Sequence, residues 1–267
     1  MGLLHRLYRI AHETVFPTRC LACGEFFRRP DRAITGDTDD AALLAAKLCP
    51  ACLQGVVRVA SPMCSICGLP FIGRQGQDHI CGECIRSPGV FAKARAALVY
   101  NQTLKRLVHC FKYQGKIQLA AALGEILLVA FERHWEQERI DLVVPVPLHP
   151  KRMRKRGFNQ AYLLVHRWGL PMARSLAARP GPVLQRDLII RTRYTVPQTT
   201  LGRRKRAENI KNAFALTDCG RIKNKAILLV DDVYTTGATA GECARLLLDG
   251  GARQVDILTL ARAVLPA

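Results

Sequence analysis

The sequence lacks any run of apolar residues long enough to cross a membrane. A spanning helix needs roughly 20 such residues, and the nearest candidate, LAAALGEILLVAF at 119–131, is shorter and contains Glu125. The N-terminus, MGLLHRLYRIAHETVF, also lacks the apolar segment of a secretion signal, because Arg6 and Arg9 interrupt the place where it would lie. We therefore expect a cytoplasmic protein with no membrane span.

Acidic and aromatic residues are also scarce. The 267 residues include 21 Asp and Glu against 40 Lys and Arg, which gives a net charge of +19. This balance favours anionic partners such as nucleic acid or polyphosphates. Aromatic residues make up only 6% of the chain, so platforms for stacking bases are few and contact with phosphates is favoured.

Cysteine, by contrast, is abundant and patterned. Eight of the eleven cysteines form four C-x-x-C pairs in the first third of the chain: Cys20/Cys23, Cys49/Cys52, Cys64/Cys67 and Cys81/Cys84. Two such pairs complete a tetrahedral zinc site with thiolate ligands, so we predict two structural zinc ions. Tandem and interleaved pairings both fit the spacing, and a disulfide framework is the rival that a cytoplasmic chain disfavours. The isolated Cys110, Cys219 and Cys243 are expected to be small buried residues.

Composition changes near Phe91, which predicts two domains, 1–90 and 91–267. The first should contain a short N-terminal helix, with Leu3, Leu4, Leu7 and Ile10 on one face, followed by a double zinc ribbon. The second part alternates helical and strand patterns, as is typical of an α/β domain with a mainly parallel sheet. Helices are predicted at 103–113, 119–135 and 239–251. Buried strands are predicted at 141–147, 224–232 and 254–262. The stretch after the first of these strands, LHPKRMRKRGFNQAYLLV at 148–165, predicts a basic loop that enters a helix.

The stretch ILLVDDVYTTGAT, residues 227–239, ends a buried strand with two aspartates and continues through Thr-Thr-Gly into a helix. Free N–H groups at a helix N-terminus suit a phosphate, and carboxylates suit sugar hydroxyls or Mg²⁺. The pattern therefore predicts a site for a ribose 5-phosphate, with an ordinary charged turn as the alternative. The chain contains no G-x-x-x-x-G-K-[ST], which excludes a P-loop nucleotide site.

VDDVYTTGAT resembles the phosphoribosyl pyrophosphate (PRPP) motif of type I phosphoribosyltransferases. Together with the four cysteine pairs, VPVPLHPKRMRKRGFNQA and RTRYTVPQTTLGRRKRAENIKNAF, it makes nearly the whole chain resemble the ComF (competence protein F) family. That family combines a double zinc ribbon with a phosphoribosyltransferase-like domain. The resemblance implies a five-stranded parallel sheet with flanking helices, and a role in using DNA taken up during natural transformation.

The resemblance also implies roles for individual residues. Asp231 and Asp232 correspond to the pair that contacts the ribose hydroxyls. The 5-phosphate loop corresponds to Thr235, Thr236, Gly237, Ala238 and Thr239. The pyrophosphate loop corresponds to Val146, Pro147 and Leu148, with Arg152, Arg156 and Asn159 close by. Candidate contacts from the family's mobile region are Arg193, Gln198, Arg204 and Asn209. Mg²⁺ would accompany PRPP.

Two classes of function stay open at this point. The first is ribosyl transfer from PRPP with release of pyrophosphate to an acceptor that the sequence does not name. The second is a non-catalytic module that senses PRPP or a nucleotide, or binds single-stranded DNA, alongside proteins of the competence machinery. The basic runs KRMRKR and RRKR can serve pyrophosphate, nucleic acid or only a solvated face. An adaptor whose PRPP motif is vestigial is a weaker third hypothesis.

Overall fold

The protein is described here from a computed structural model, which covers residues 18–28, 43–71, 73, 76–169, 181–195 and 208–264. Several predicted features lie outside these described residues. They are the N-terminal helix, Gln198, Arg204 and the rest of the basic run at 203–206. Within the described ranges no helix is long and apolar enough to span a membrane.

The cysteine-rich region contains short elements only. Strands β1 and β2 form an antiparallel pair, and two single-turn helices, α1 and α2, each begin immediately after a cysteine. Their bounds are β1 Thr18–Arg19, β2 Phe26–Phe27, α1 Pro50–Gln54 and α2 Gly82–Arg86.

A five-stranded, all-parallel sheet forms the centre of the remaining chain, in the order β3-β9-β8-β4-β5. An antiparallel pair, β6 and β7, lies apart from this sheet. The strands are β3 Ala94–Val99, β4 Leu142–Pro145, β5 Val183–Leu184, β6 Ile189–Arg191, β7 Phe214–Leu216, β8 Ala226–Tyr234 and β9 Gln254–Arg262. The helices are α3 Gln102–Tyr113, α4 Leu119–Trp135, α5 Pro150–Arg156, α6 Gln160–Val165 and α7 Ala238–Asp249. The predicted α/β class with a five-stranded parallel sheet is confirmed.

Both faces of the sheet are covered, which explains why its central strands are continuously apolar. On one face, Leu228 and Leu258 pack with α3, α4 and α6. On the other face, Ile227 and Ile257 pack with α7. Cysteines of the first two pairs belong to the same core as α3, so the cysteine-rich region is packed onto the α/β part.

The predicted loop after β4 is wrong in one respect, because its basic segment forms the helix α5. Three local signals make this helix, although it has no apolar face. The His149 ring accepts a hydrogen bond from the Lys151 N–H at 3.1 Å, Pro150 occupies the first turn, and Gly157 ends the helix with φ of +83°. The expectation that Cys219 is buried is also wrong, because it lies exposed in the turn between β7 and β8.

Candidate functional site

Eight cysteines form two clusters of four, in which all Sγ atoms lie within 4.8 Å of one another. The first cluster consists of Cys20, Cys23, Cys49 and Cys52, and the second of Cys64, Cys67, Cys81 and Cys84. The pairing is therefore tandem, the interleaved alternative is wrong, and none of the eight thiols is in a disulfide.

The spacing of the sulfur atoms fits zinc in both clusters. The Sγ atoms of Cys23 and Cys49 are 3.7 Å apart, and those of Cys67 and Cys81 are 3.8 Å apart. Four thiolates placed about 2.3 Å from one zinc ion in a tetrahedron are about 3.8 Å from each other. Each cluster can therefore hold one structural zinc ion with thiolate ligands only.

Backbone N–H groups prepare the second cluster for a cation. The N–H groups of Cys67 and Cys81 both lie 3.4 Å from the Cys64 sulfur. Burial opposes ionisation of this thiol, but these donors outweigh it and lower the pKa of Cys64 to about 6. In the first cluster, burial is outweighed in the same way and the pKa of Cys20 falls to about 7. Burial raises the pKa of the partner thiols Cys52 and Cys84, so each cluster offers one readily ionised thiol, and a bound zinc ion must displace the protons of the others.

We expect two zinc ions per chain in protein purified without a chelator, and one in a Cys20→Ser variant, because the clusters share no ligand. The variant should loosen the N-terminal region while the acidic pair and the loop after it stay formed. Elemental analysis by plasma mass spectrometry measures the stoichiometry. Cys110→Ser, a buried cysteine outside both clusters, is the control and should keep two ions. A wild-type protein without zinc would contradict the assignment.

The two aspartates lie at the carboxyl edge of the sheet, where parallel α/β sheets bind ligands. Both aspartates belong to strand β8, as predicted, and the strand runs two residues further than predicted, to Tyr234. Asp231 is half-buried, whereas Asp232 is 4% exposed. The Asp231 Oδ1 accepts a hydrogen bond from the Asp232 backbone N–H at 2.8 Å.

Asp232 is held by two side chains from helices on one face of the sheet. Lys112, on α3, forms an ion pair with its Oδ2, and the Gln160 amide donates to its Oδ1 at 3.3 Å. The Gln160 carbonyl oxygen in turn accepts a hydrogen bond from Arg156. These contacts connect the acidic pair to the basic helix α5.

The two carboxyls have opposite protonation behaviour. Burial and the adjacent Asp232 charge raise the pKa of Asp231 well above its usual range. Burial also opposes ionisation of Asp232, but the Lys112 ammonium and the hydrogen bonds from Asp231, Lys112 and Gln160 together outweigh it and lower the pKa of Asp232. The pair therefore presents one carboxylate and one carboxyl that keeps a proton above the usual range of aspartate.

Residues Thr235 to Thr239, the threonine loop, turn from β8 into the N-terminus of α7. Gly237 has φ of +77°, and a Cβ atom there would lie 2.3 Å from the Tyr234 hydroxyl oxygen. A side chain at this position is therefore excluded by both conformation and space. The loop encloses a small cavity together with Asp231, and the positive end of the α7 dipole faces it. This arrangement suits a small anion such as a phosphate group.

A larger open cleft of about 410 Å³ adjoins the threonine loop. Asp231, Thr235 and Thr239 line both the cleft and the small cavity. The cleft wall includes five cationic side chains: Lys112, Arg152, Lys155, Arg156 and Arg191. Both cavities therefore belong to one continuous site that has a carboxyl pair between a loop and a group of cations.

Arg191 is the most buried of the arginines in the cleft, at 7% exposure. Burial and the nearby Arg152 charge lower its pKa to about 10. Its Nη2 contacts the Thr195 hydroxyl, while its Nε has no hydrogen-bond partner within the described part of the chain. A buried guanidinium N–H without a partner is costly, and an anionic group bound in the cleft can supply one.

Most residues that the sequence singled out come together here. The cleft or the small cavity is lined by Asp231, Asp232, Thr235, Gly237, Ala238, Thr239, Val146, Pro147, Leu148, Arg152 and Arg156. Thr236 lies within the loop, and its hydroxyl accepts a long hydrogen bond of 3.5 Å from the Ala238 N–H.

Two other predicted residues have different contacts. Asn159 caps α6 by accepting a hydrogen bond from the Ala161 N–H at 2.9 Å, and its amide donates to the Val146 carbonyl at 3.0 Å. It therefore holds the cleft wall in place. Arg193 is exposed and donates to the backbone carbonyls of Asn209 and Lys211, at 3.0 and 2.6 Å. These bonds connect the segment that follows β6 to the segment that precedes β7.

The sequence did not point to three residues of the site. They are the partly buried Lys112, the buried Arg191, and Tyr234, whose hydroxyl packs beside Gly237. In the sequence, Lys112 lies within the predicted helix at 103–113 with no role assigned, and Arg191 lies two residues before the predicted contact Arg193. The one available signal was that Lys112 follows Phe111 and that Arg191 lies two residues after Ile189, on the same face of its strand, and both of these apolar residues are buried.

Comparison with known proteins gives matches across most of the chain. Residues 11–85 match a family described as Double zinc ribbon domain. DNA utilization protein YhgH of Escherichia coli strain K12 is 33% identical over 219 residues, which cover 80% of this chain and 90% of that protein. Competence protein F of Haemophilus influenzae is 30% identical over 220 residues, 81% and 90% of the two chains. A solved allosteric regulatory enzyme of purine biosynthesis overlaps 54% of this chain and 26% of its own, with 18% identity and a TM-score of 0.32.

Proposed function

The chain belongs to the ComF family, with DNA utilization protein YhgH and competence protein F among its relatives, and on this premise we propose that it binds PRPP with Mg²⁺ in the site described above. PRPP carries a phosphate and a pyrophosphate at opposite ends of a ribose. The observation that carries the proposal is that Asp231, Thr235 and Thr239 line both the small cavity and the cationic cleft. One ligand with anions at both ends and hydroxyls between them matches this order of groups.

Each part of the site has a role in this proposal. The threonine loop receives the 5-phosphate through backbone N–H groups and hydroxyls. Asp231 and Asp232 accept hydrogen bonds from the ribose hydroxyls. Arg152, Arg156 and Arg191 hold the pyrophosphate. Mg²⁺ with oxygen ligands from the carboxylates and the phosphates would neutralise part of the ligand charge.

We propose ribosyl transfer as the reaction that this arrangement supports. The bond between C1 of the ribose and the pyrophosphate oxygen breaks, and the electron pair leaves with pyrophosphate. An acceptor then forms a bond to C1. The arginines stabilise the charge that develops on the leaving group, and the cleft excludes part of the solvent from it. Because the relatives are named for DNA utilization and competence, we expect the acceptor to be a molecule that forms when DNA is used after its uptake.

The proposal predicts that Gly237→Ala lowers the affinity for Mg·PRPP at least about tenfold, since the new methyl displaces Tyr234 and strains a backbone that favours glycine. Isothermal calorimetry with PRPP and Mg²⁺ measures this. Gly241→Ala is the matched control, because it lies in α7 with open space around its Cβ position. It should keep wild-type affinity and stabilise the helix by about 0.5–1 kcal/mol. No binding of PRPP to the wild type would refute the proposal.

A second candidate function, binding of single-stranded DNA, is favoured by the composition of α5. Arg152 and Arg156 point toward the cleft, while Lys151 and Arg154 are exposed outside it. Two exposed tyrosines flank the helix: the Arg156 guanidinium lies 5.0 Å from the Tyr113 ring centre, and that of Arg152 lies 5.6 Å from the Tyr194 ring centre. The surface therefore combines phosphate-binding charge with two stacking platforms, which the aromatic content alone did not suggest.

The two uses of α5 predict different results for two pairs of substitutions. In Lys151→Ala with Arg154→Ala, the slope of log affinity for a labelled oligonucleotide against log salt concentration should become less steep by roughly 1.4, at about 0.7 per lost phosphate contact. PRPP binding should stay intact in this variant. Arg152→Ala with Arg156→Ala should weaken PRPP binding. An unchanged salt slope in the first variant would rule out DNA contact by the exposed side of this helix.

A further inference from the structure

Arg262, the last residue of β9, is 7% exposed and contacts two parts of the protein that are far apart in sequence. Its Nε donates to the Cys67 carbonyl at 3.2 Å, and its Nη2 lies 3.6 Å from the Cys67 sulfur. Its Nη1 donates to the carbonyls of Tyr234, Thr235 and Ala263, at 3.3, 2.9 and 3.0 Å. One guanidinium therefore joins a ligand of the second cysteine cluster to the first residue of the threonine loop.

The same guanidinium also fixes the conformation of the loop through Tyr234. Its Cζ lies 4.5 Å from the centre of the Tyr234 ring. The hydroxyl of that ring occupies the space beside Gly237. Arg262 thus holds the threonine loop at two points: the carbonyls where the loop begins, and the tyrosine that packs beneath its glycine.

The second cysteine cluster is itself attached firmly to the sheet. The Ala94 N–H donates to the Ile66 carbonyl at 2.7 Å. Gly68 has φ of +63°, and a Cβ atom there would lie 2.6 Å from the Ala94 carbonyl oxygen. The segment that carries Cys67 is therefore in direct contact with β3, and Arg262 contacts the same segment from β9.

The first cluster lies in a different environment. It shares a core with α3, and the Asn101 amide beside it donates to the Gly55 carbonyl at 2.7 Å. The two metal sites therefore differ in what they contact, and the first provides an internal control for any effect that passes through Arg262.

We propose that Arg262 couples occupancy of the second zinc site to binding at the threonine loop. With zinc bound, Cys67 holds the guanidinium in place, and the guanidinium presents the loop in the conformation that receives a phosphate. Arg262 is a positioning residue in this scheme, since it contacts the loop and not the ligand. The proposal rests on the proposed function for its probe, PRPP. Coupling between two sites is reciprocal, so PRPP must also tighten zinc binding at the second site.

Equilibrium zinc competition against the chelator pyridylazoresorcinol, with and without saturating Mg·PRPP, tests this reciprocity in the full-length chain. Cys23→Ser protein reports the second site, and Cys84→Ser protein reports the first. We expect PRPP to raise the zinc affinity of the second site at least about fivefold, the lower end of typical coupling, and to leave the first site unchanged. Calorimetry should show the same fold-change in PRPP affinity between protein with and without the second zinc ion.

Arg262→Lys keeps the positive charge but loses the planar fork that reaches Cys67 and the start of the threonine loop at the same time. The effect of PRPP on the zinc affinity of the second site should therefore disappear, while both sites still bind zinc. Arg95→Lys is the matched control, because Arg95 donates to the Ala94 carbonyl at 2.8 Å beside the same cluster, and it should keep the coupling.

If PRPP binds and the zinc affinity of the second site does not change, the coupling is refuted and the proposed function stands. If Arg262→Lys retains the full change, Arg262 is not the coupling residue. If PRPP does not bind the wild type, the proposed function and the coupling fail together. If Arg262→Lys does not fold, the zinc affinities of the Cys23→Ser and Cys84→Ser proteins with and without PRPP still decide whether the second zinc site and the threonine loop are coupled.

Discussion

Replacing Lys112 with methionine is expected to lower the free energy of unfolding by about 3 kcal/mol at pH 7. This is the lower end of the usual cost of removing one partner of a buried ion pair, because Asp232 is buried whereas 18% of the Lys112 side chain is exposed. Methionine keeps the length and the apolar stem of lysine but leaves the Asp232 carboxylate without its cation. Asp232 is 4% exposed, and the Gln160 amide at 3.3 Å remains as its side-chain donor. Urea unfolding followed by circular dichroism measures the loss.

The sign of the pH dependence separates charge from packing. In the wild type the pKa of Asp232 lies below its ordinary value, so its contribution to stability is present above about pH 4 and is lost as the pH falls through the folded-state pKa. In Lys112→Met, burial without a cation raises the pKa of Asp232. The variant should then lose stability as the pH rises above about 4, and its defect should be smaller at pH 5 than at pH 8.

The double variant Lys112→Met with Asp232→Asn is the control, because it removes both charges and keeps the volume of the pair. It should recover most of the lost stability, as replacement of a whole buried ion pair is often neutral. An equal loss in the single and the double variant would mean that packing of the lysine stem, and not the ion pair, carries the effect.

Local patterns in the sequence were enough to predict several of the helices and strands that surround the site. The helix at 119–135 and the strand at 254–262 have the predicted bounds, because each is a mainly apolar segment with polar or charged residues at or beside its ends. The cysteine spacing likewise predicted the two metal clusters. The pattern at 148–165 failed for α5, because this helix is specified by a cap, a proline and a glycine and has no apolar face.

The rest of the site depends on contacts that no local pattern contains. Lys112 and Asp232 lie 120 positions apart, and they meet because α3 packs on the face of the sheet where β8 ends. Arg262 resembles an ordinary charged strand end until β9 pairs with β8 and brings it to Tyr234. The sequence therefore indicated which chemical groups the site contains, while the strand order determined which of them interact.

Asp231→Asn together with Asp232→Asn is expected to weaken binding of Mg·PRPP about a hundredfold or more, and either substitution alone at least tenfold. Each removes charge-assisted hydrogen bonds worth about 1.5–3 kcal/mol, and neutral amides are poor ligands for Mg²⁺. Isothermal calorimetry measures the affinities. Asp218→Asn, an exposed aspartate in the turn before β8, is the control and should bind as the wild type does. Equal affinity in the double variant and the wild type would place the ligand elsewhere.

Binding of PRPP should also release a proton, and Asp231 should be its source. Burial and the Asp232 charge keep the pKa of Asp231 well above its usual range in the free protein, whereas a ribose hydroxyl or Mg²⁺ requires the carboxylate. Below that pKa the affinity should therefore fall about tenfold for each unit of decreasing pH, and above it the affinity should be constant. Calorimetry in two buffers with different ionisation enthalpies counts the protons. Because PRPP itself titrates, the number that matters is the difference between the wild type and Asp231→Asn. The wild type should release more protons than the variant at a pH below the pKa of Asp231, and equal release by the two proteins would show that Asp231 does not deprotonate when the ligand binds.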